Sequence, residues 1–182
     1  MTPKISTPNV CSEYLQTGAL QTYCETQGQG RPLLLMHGGL STIQTSFEKL
    51  RPLLAERWMT IAVEQQGHGH TTDIERPLDY EQMVEDTAAL LRQIKIANAD
   101  VFGWSDGGIV ALGLAVRHPD LVRKVATIGS GYNIDAWKQD FKLSQATLQP
   151  DNDHILPFRN AYRIVAPKPE NWSLLVEKIK VM

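Results

Sequence analysis

The stretch Ala99-Asp-Val-Phe102-Gly103-Trp104-Ser105-Asp106-Gly107-Gly108 holds the most informative turn of the chain. Ala99 to Phe102 is a short apolar strand, and Ile109 to Arg117 has helical composition ended by His118-Pro119, so the glycine-bearing turn joins a strand to a helix. Within it, Gly103-Trp104-Ser105-Asp106-Gly107 fits G-x-S-x-G. The spacing has a steric cause. A serine forced into a strained turn at the carboxyl end of a strand needs neighbours without Cβ two residues to either side, so that strand and helix can approach. Such a turn exposes Ser105 Oγ and aims the following N–H groups, at a helix amino terminus, towards any oxyanion formed there. Ser105 is the expected nucleophile, and Gly103 and Gly107 are the glycines that permit the turn. A phosphate-binding loop or a βα turn with an incidental serine would need the same glycines, but the flanking strand and helix favour the nucleophile.

Upstream, Pro32-Leu-Leu-Leu-Met36 is a continuous apolar run suited to a strand covered on both faces, and it stops at His37-Gly38-Gly39. This is where an oxyanion hole draws its second N–H, so Gly39 N–H and Asp106 N–H are the expected donors, with the His37 side chain structural. Phe47, Leu50, Leu53 and Leu54 follow at helical spacing, interrupted by Pro52. Trp58 to Val63 is another buried strand, leading to the turn Gly67-His68-Gly69-His70. Asp79 and Gln82 have capping-box spacing ahead of a helical stripe of Met83, Val84, Thr87, Leu90, Leu91 and Ile94. Val122 to Ile128 makes a further strand, and Ser12 to Thr26, split by Gly18, reads as a hairpin. Strands alternating with helices predict an α/β fold: a mostly parallel twisted sheet with helices on both faces.

The pattern changes after Gly131. Aromatic and polar residues mix through Asp153, and two helical segments follow, Leu156 to Val165 and Pro169 to Ile179. Residues 1–130 are therefore expected to form the core with the serine turn, and 131–182 a helical cap. The motifs together resemble the α/β-hydrolase superfamily, most closely the small esterase-like bacterial hydrolases with a helical cap. The resemblance rests on His37-Gly38-Gly39, Glu64-Gln-Gln-Gly67-His68-Gly69-His70, Gly103 to Gly108, and His118-Pro119 leading to Val122-Arg-Lys-Val125, in family order from Pro32 to Ser130. Many relatives carry Asp and Arg where this chain has Glu64 and Gln66, which affects a local turn. The resemblance implies a serine hydrolase that cleaves carboxylic esters through an acyl-enzyme on Ser105, with the cap as lid. Lactone, amide or C–C bond hydrolysis would use the same serine, and a non-catalytic binding module is the alternative from another class. An NAD-type domain lacks its G-x-G-x-x-G.

The resemblance also implies an acid and a histidine after two later strands. Here the strand signals cease after Ile128, and no late Gly-x-x-Asp or Gly-His appears before Met182, so the core is expected to be incomplete and nearly inactive by itself. Of the remaining histidines, His68 and His70 are expected on a surface turn, and His118 far from Ser105 at the other end of its helix. His154, between Asp151 and Asp153, is the weak substitute base. Asp106 is expected to cap its helix and Trp104 to pack under the sheet. Strand 122–128 would be left as an apolar edge, open to pairing with another copy of the chain.

Composition fits this picture and removes others. The chain has 182 residues, 42% of them hydrophobic, with a formal charge of -2 and a pI near 6.2, so it offers no basic field for nucleic acid or anionic membrane. A small ester-like molecule is the expected partner. The amino terminus lacks the apolar segment of a secretory signal, and Cys11 and Cys24 have no ligand or CxxC spacing, which points to free thiols in the cytoplasm. No cofactor and no metal site is implied.

Overall fold

The computed structural model describes residues 9–132 and 147–182. Six strands, β1 (Val10–Thr17), β2 (Leu20–Gln27), β3 (Arg31–Met36), β4 (Trp58–Val63), β5 (Ala99–Trp104) and β6 (Val122–Ile128), form one sheet of order β1-β2-β4-β3-β5-β6. β1 and β2 are the expected hairpin, turning at Gly18 with φ 64, and β2 runs antiparallel to β4. The β4–β3, β3–β5 and β5–β6 pairs are parallel, so the mostly parallel α/β sheet holds.

Side-chain alternation along β3 sends apolar residues to both faces. Leu34 and Met36 join Ile61, Val101 and Leu114 in one cluster, while Leu33 and Leu35 join Ala62, Phe47 and Tyr23 in a second. Helices α3 (Tyr80–Gln93) and α4 (Asp106–Arg117) supply the first face. Two short helices, α1 (Ile43–Phe47) and α2 (Arg51–Leu54), follow β3, and α1 supplies the second. Phe47 is buried as its spacing predicts, but Leu50 and Leu53 are exposed, because Pro52 restarts the helix out of phase with that stripe. The α3 stripe from Met83 to Leu91 is buried as predicted. Asp79 caps this helix by accepting from Glu81 N–H at 2.7 Å. Gln82 does not complete the expected box; its amide turns along the helix to Asp86 at 3.2 Å.

Helices α5 (Leu156–Val165) and α6 (Trp172–Val181), the expected cap, are each preceded by a short 3₁₀ turn. Their buried residues Tyr162, Trp172, Leu175, Val176 and Ile179 pack into the first cluster, continuous with the sheet. Part of the expected cap, 133–146, and the tail 1–8 lie outside the described residues. Among the described residues, no helix is long and apolar enough to cross a membrane. Both cysteines are free, and burial pushes the Cys24 thiol up to about 12.

Candidate active site

Ser105 stands between β5 and α4 with φ 52 and ψ -126, a region that non-glycine residues populate sparsely. Its backbone is firmly held. The N–H donates to Ile128 O at 2.9 Å, and the carbonyl accepts from Gly108 N–H at 2.9 Å and Ser130 Oγ at 2.8 Å. Among the described residues, no hydrogen bond uses Ser105 Oγ. The two glycines that flank Ser105 are required by contact. A Cβ on Gly103 would lie 2.3 Å from Gly107 O, and one on Gly107 would lie 2.3 Å from Met36 O. Trp104 lies under the loop after β3, where a Cβ on Gly38 would be 3.0 Å from its ring and 3.1 Å from Ser105 Cβ.

Asp106 does not cap its own helix. Ser105 takes the cap position, so Asp106 begins the first turn and its carboxylate reaches across to the loop, accepting from Gly39 N–H and from Tyr80 Oη at 2.8 Å. Burial raises the Asp106 pKa, and the Tyr80 and Gly39 donors oppose the rise. Burial and the neighbouring Asp106 charge likewise raise that of Tyr80. The structure thus brings Ser105, Gly39 and Asp106 together, but turns the Gly39 N–H onto a carboxylate. Tyr80, at the start of α3, carried no sequence signal for this role, because its partner lies 26 residues away.

The other loops around Ser105 are built on buried polar groups. His37 Nδ1–H donates to Gly38 O at 2.8 Å while Nε2 accepts from Gln65 N–H at 3.1 Å. His68 Nδ1–H donates to Gln66 O at 2.9 Å, and its Nε2 accepts from Leu40 N–H at 3.2 Å. Both rings are neutral, with burial lowering each pKa to about 4. The surface-turn expectation is therefore corrected: His68 is buried and His70 half-buried, because the turn folds inward over Glu64. Glu64 is itself buried, accepting from Ile43 N–H at 3.0 Å, His70 N–H at 2.6 Å and His70 Nδ1 at 2.9 Å. A charged residue at the end of an apolar strand was the available signal. Gln66 holds the following loop, donating to Asp73 at 2.7 Å and accepting from Arg76.

Helix α6 covers this group. A Cβ on Gly39 would lie 3.7 Å from Ile179 Cδ1, and one on Gly67 would lie 3.5 Å from Leu175 Cδ1. Lys178 fixes the helix, its ammonium donating to Asp73 at 2.6 Å, Ile74 O at 3.0 Å and Arg76 O at 2.7 Å. A cavity of about 10 Å³, between Gly39, Gln65, His68, Met83 and Asp106, leaves room for about one water. His154 is exposed on the 3₁₀ turn before α5, and no described hydrogen bond links it to Ser105. His118 sits at the far end of α4, paired with Glu85 at 3.1 Å. Among the described residues, no group of three or more His, Cys, Asp or Glu is arranged to hold a metal ion.

A mostly parallel sheet with a strained serine at the end of its fifth strand, faced by a glycine loop, defines an α/β scaffold of the kind that carries nucleophilic hydrolases. Residues 31–170 match the alpha/beta hydrolase fold family, and the chain belongs to it. It is 31% identical over 128 residues to the 2-(acetamidomethylene)succinate hydrolase of Mesorhizobium japonicum, covering 70% of this chain and 46% of that protein. It is 38% identical over 100 residues to the pimeloyl-[acyl-carrier protein] methyl ester esterase of Neisseria meningitidis, covering 55% and 36%. The crystal structure of a serine hydrolase involved in carbazole degradation shares the fold at a TM-score of 0.73 and 19% identity, over 94% of this chain and 70% of that one. The chain spans less than half the length of these curated relatives.

Proposed function

We propose that this chain carries the nucleophile-bearing part of a serine hydrolase that cleaves carboxylic esters of small molecules. Ser105 Oγ attacks the ester carbonyl, its proton passes to a base outside the described site, and the alkoxide leaves as an acyl-enzyme forms. Gly39 N–H and Asp106 N–H receive the developing oxyanion, so the Asp106 carboxylate must first turn away from Gly39. The residues after Gly131 act as the lid, with α6 moving to admit substrate. The observation that supports this reading is the Ser105 backbone itself. Its φ and ψ are strained, its own N–H and carbonyl are hydrogen-bonded, and among the described residues no hydrogen bond uses its Oγ. A relative named as a methyl ester esterase supports the ester class, and the two free thiols fit work in the cytoplasm.

A fluorophosphonate probe tests the reading. Slow labelling of the folded chain at Ser105, abolished in Ser105→Ala, is the expected result. Removal of the partner histidine in such a triad costs on the order of a million-fold in turnover, so labelling rather than turnover is the sensitive readout. A folded sample that never labels would identify a binding module instead.

A further inference from the structure

The two N–H groups proposed to receive the oxyanion are held differently. Among the described residues no hydrogen bond uses the Asp106 N–H, whereas the Gly39 N–H donates to the Asp106 carboxylate. The approach is close: a Cβ on Gly39 would lie 2.2 Å from Asp106 Oδ2. A carboxylate drawn out of water into this corner needs donors to balance its lost solvation. Its second donor comes from another element, since Tyr80 Oη donates to Asp106 Oδ1 at 2.8 Å. Tyr80 is the first residue of α3, and its backbone is set by the Asp79 cap, which accepts from Glu81 N–H at 2.7 Å. Burial and the Asp106 charge keep the phenol protonated, so Tyr80 is the donor of the pair.

We infer that Tyr80 is a latch: it holds the Asp106 carboxylate on the Gly39 N–H, so that an internal anion occupies half of the oxyanion site until the pair separates. The inference rests on the serine hydrolase reading and adds a positioning residue to it. In the closed state a substrate carbonyl finds one donor instead of two, with a negative charge beside the place where negative charge develops. Both oppose attack by Ser105. Opening needs rotation of the Asp106 side chain alone, because its N–H belongs to the backbone of α4 and stays in place. Tyr80 biases that rotation. Its bond to a charged acceptor exists only in the closed state and belongs to the stronger class of hydrogen bond. Without the hydroxyl, the closed carboxylate keeps one donor, and the open, better-solvated rotamer gains. Loss of a latch therefore speeds Ser105, whereas loss of a merely structural contact slows it.

The test is a double-mutant cycle on the full chain with Tyr80→Phe and Asp106→Ala, neither of which removes a backbone donor. Fluorophosphonate labelling of Ser105 should quicken roughly ten-fold in Tyr80→Phe and at least as much in Asp106→Ala. In the Asp106→Ala background, Tyr80→Phe should add nothing. Amide exchange gives a second readout that needs no reaction. It should quicken roughly ten-fold at Gly39 in Tyr80→Phe and stay unchanged at Leu40, whose N–H is held in the same loop by His68 Nε2 at 3.2 Å. Circular dichroism melts confirm that each variant is folded. Slower labelling in Tyr80→Phe overturns the proposal, as does a Tyr80→Phe effect that survives in the Asp106→Ala background. So does a Gly39 amide that is unchanged or quickens only in step with Leu40. If no variant labels while Gly39 alone responds, the latch stands and the serine nucleophile reading fails.

Discussion

The histidine loops and the serine turn lie side by side at the carboxyl ends of β3, β4 and β5, and they treat their polar atoms in opposite ways. In the loops, both ring nitrogens of His37 and of His68 are engaged, and Glu64 accepts three hydrogen bonds. In the turn, the backbone is strained and Ser105 Oγ, the proposed nucleophile, has no described hydrogen-bond partner. A buried polar group without a partner costs about 1–3 kcal/mol, so fully satisfied loops make a rigid frame. That frame lets the turn hold a conformation costing on the order of 1–3 kcal/mol. On the proposed function, stability and reactivity are thus assigned to neighbouring loops rather than shared by one.

Breaking the frame where the two regions touch should have the largest effect. Gly107→Ala puts a methyl group 2.3 Å from Met36 O and 2.4 Å from His37 O, both backbone atoms that cannot step aside. We expect a loss of about 3–5 kcal/mol, read as a lower urea midpoint or failure to fold. Gly39→Ala sharpens the contrast. Its nearest clash, at 2.2 Å, is with the end of the Asp106 side chain, which can rotate away, so the cost should be well below that of Gly107→Ala.

The histidine pair predicts an acid-sensitive frame. Folded His37 and His68 have pKa values near 4, against 6.5 for the free side chain. Between those values the unfolded chain binds more protons, so stability is complete above about pH 6.5 and falls as pH drops towards 4. The first ring contributes on the order of 3 kcal/mol. The second is coupled to it through their mutual repulsion, since His68 also lowers the His37 pKa. Urea midpoints measured at pH 7.5, 5.5 and 4.5 check this, and a flat profile would show that the rings are not held neutral.

Much of this arrangement was legible in sequence because it rests on local geometry. The strands at Trp58–Val63 and Val122–Ile128 and the helix at Leu156–Val165 follow from apolar runs and spacing, and the tight turn follows from two glycines flanking Ser105. What escaped depends on distant partners. His68 looked like a surface turn residue because nothing nearby shows that Leu40 N–H, 28 positions away, will need its Nε2. The Asp106 carboxylate was expected at its own helix end, yet its donors are Gly39 and Tyr80. The lysine that ties down α6 reaches Asp73, 105 residues back, and no spacing rule covers that.

That lysine tests whether α6, in the expected cap, belongs with the frame or with the turn. Lys178→Met keeps the apolar stem but removes three hydrogen bonds to the 73–76 loop, leaving Asp73 with its Gln66 partner. We expect a loss of about 1–3 kcal/mol. Amide exchange should quicken across Trp172–Val181 and stay unchanged in β3 and β4. Uniform quickening throughout the chain would instead make α6 part of the frame.

The smallest effect should have the opposite sign. Ser105→Gly places at φ 52 and ψ -126 the one residue for which that backbone is ordinary, and it removes a side chain with no described hydrogen bond. Glycine loses more conformational entropy on folding, which offsets part of the relief, so a net gain of about 0.5–1 kcal/mol is expected together with complete loss of fluorophosphonate labelling. Ser105→Ala separates the two contributions, since it removes Oγ but keeps the Cβ responsible for the strain, and its stability should stay near wild type. If glycine destabilises the fold instead, the turn stores no strain, and the division of labour between the two loops fails at the residue on which it depends.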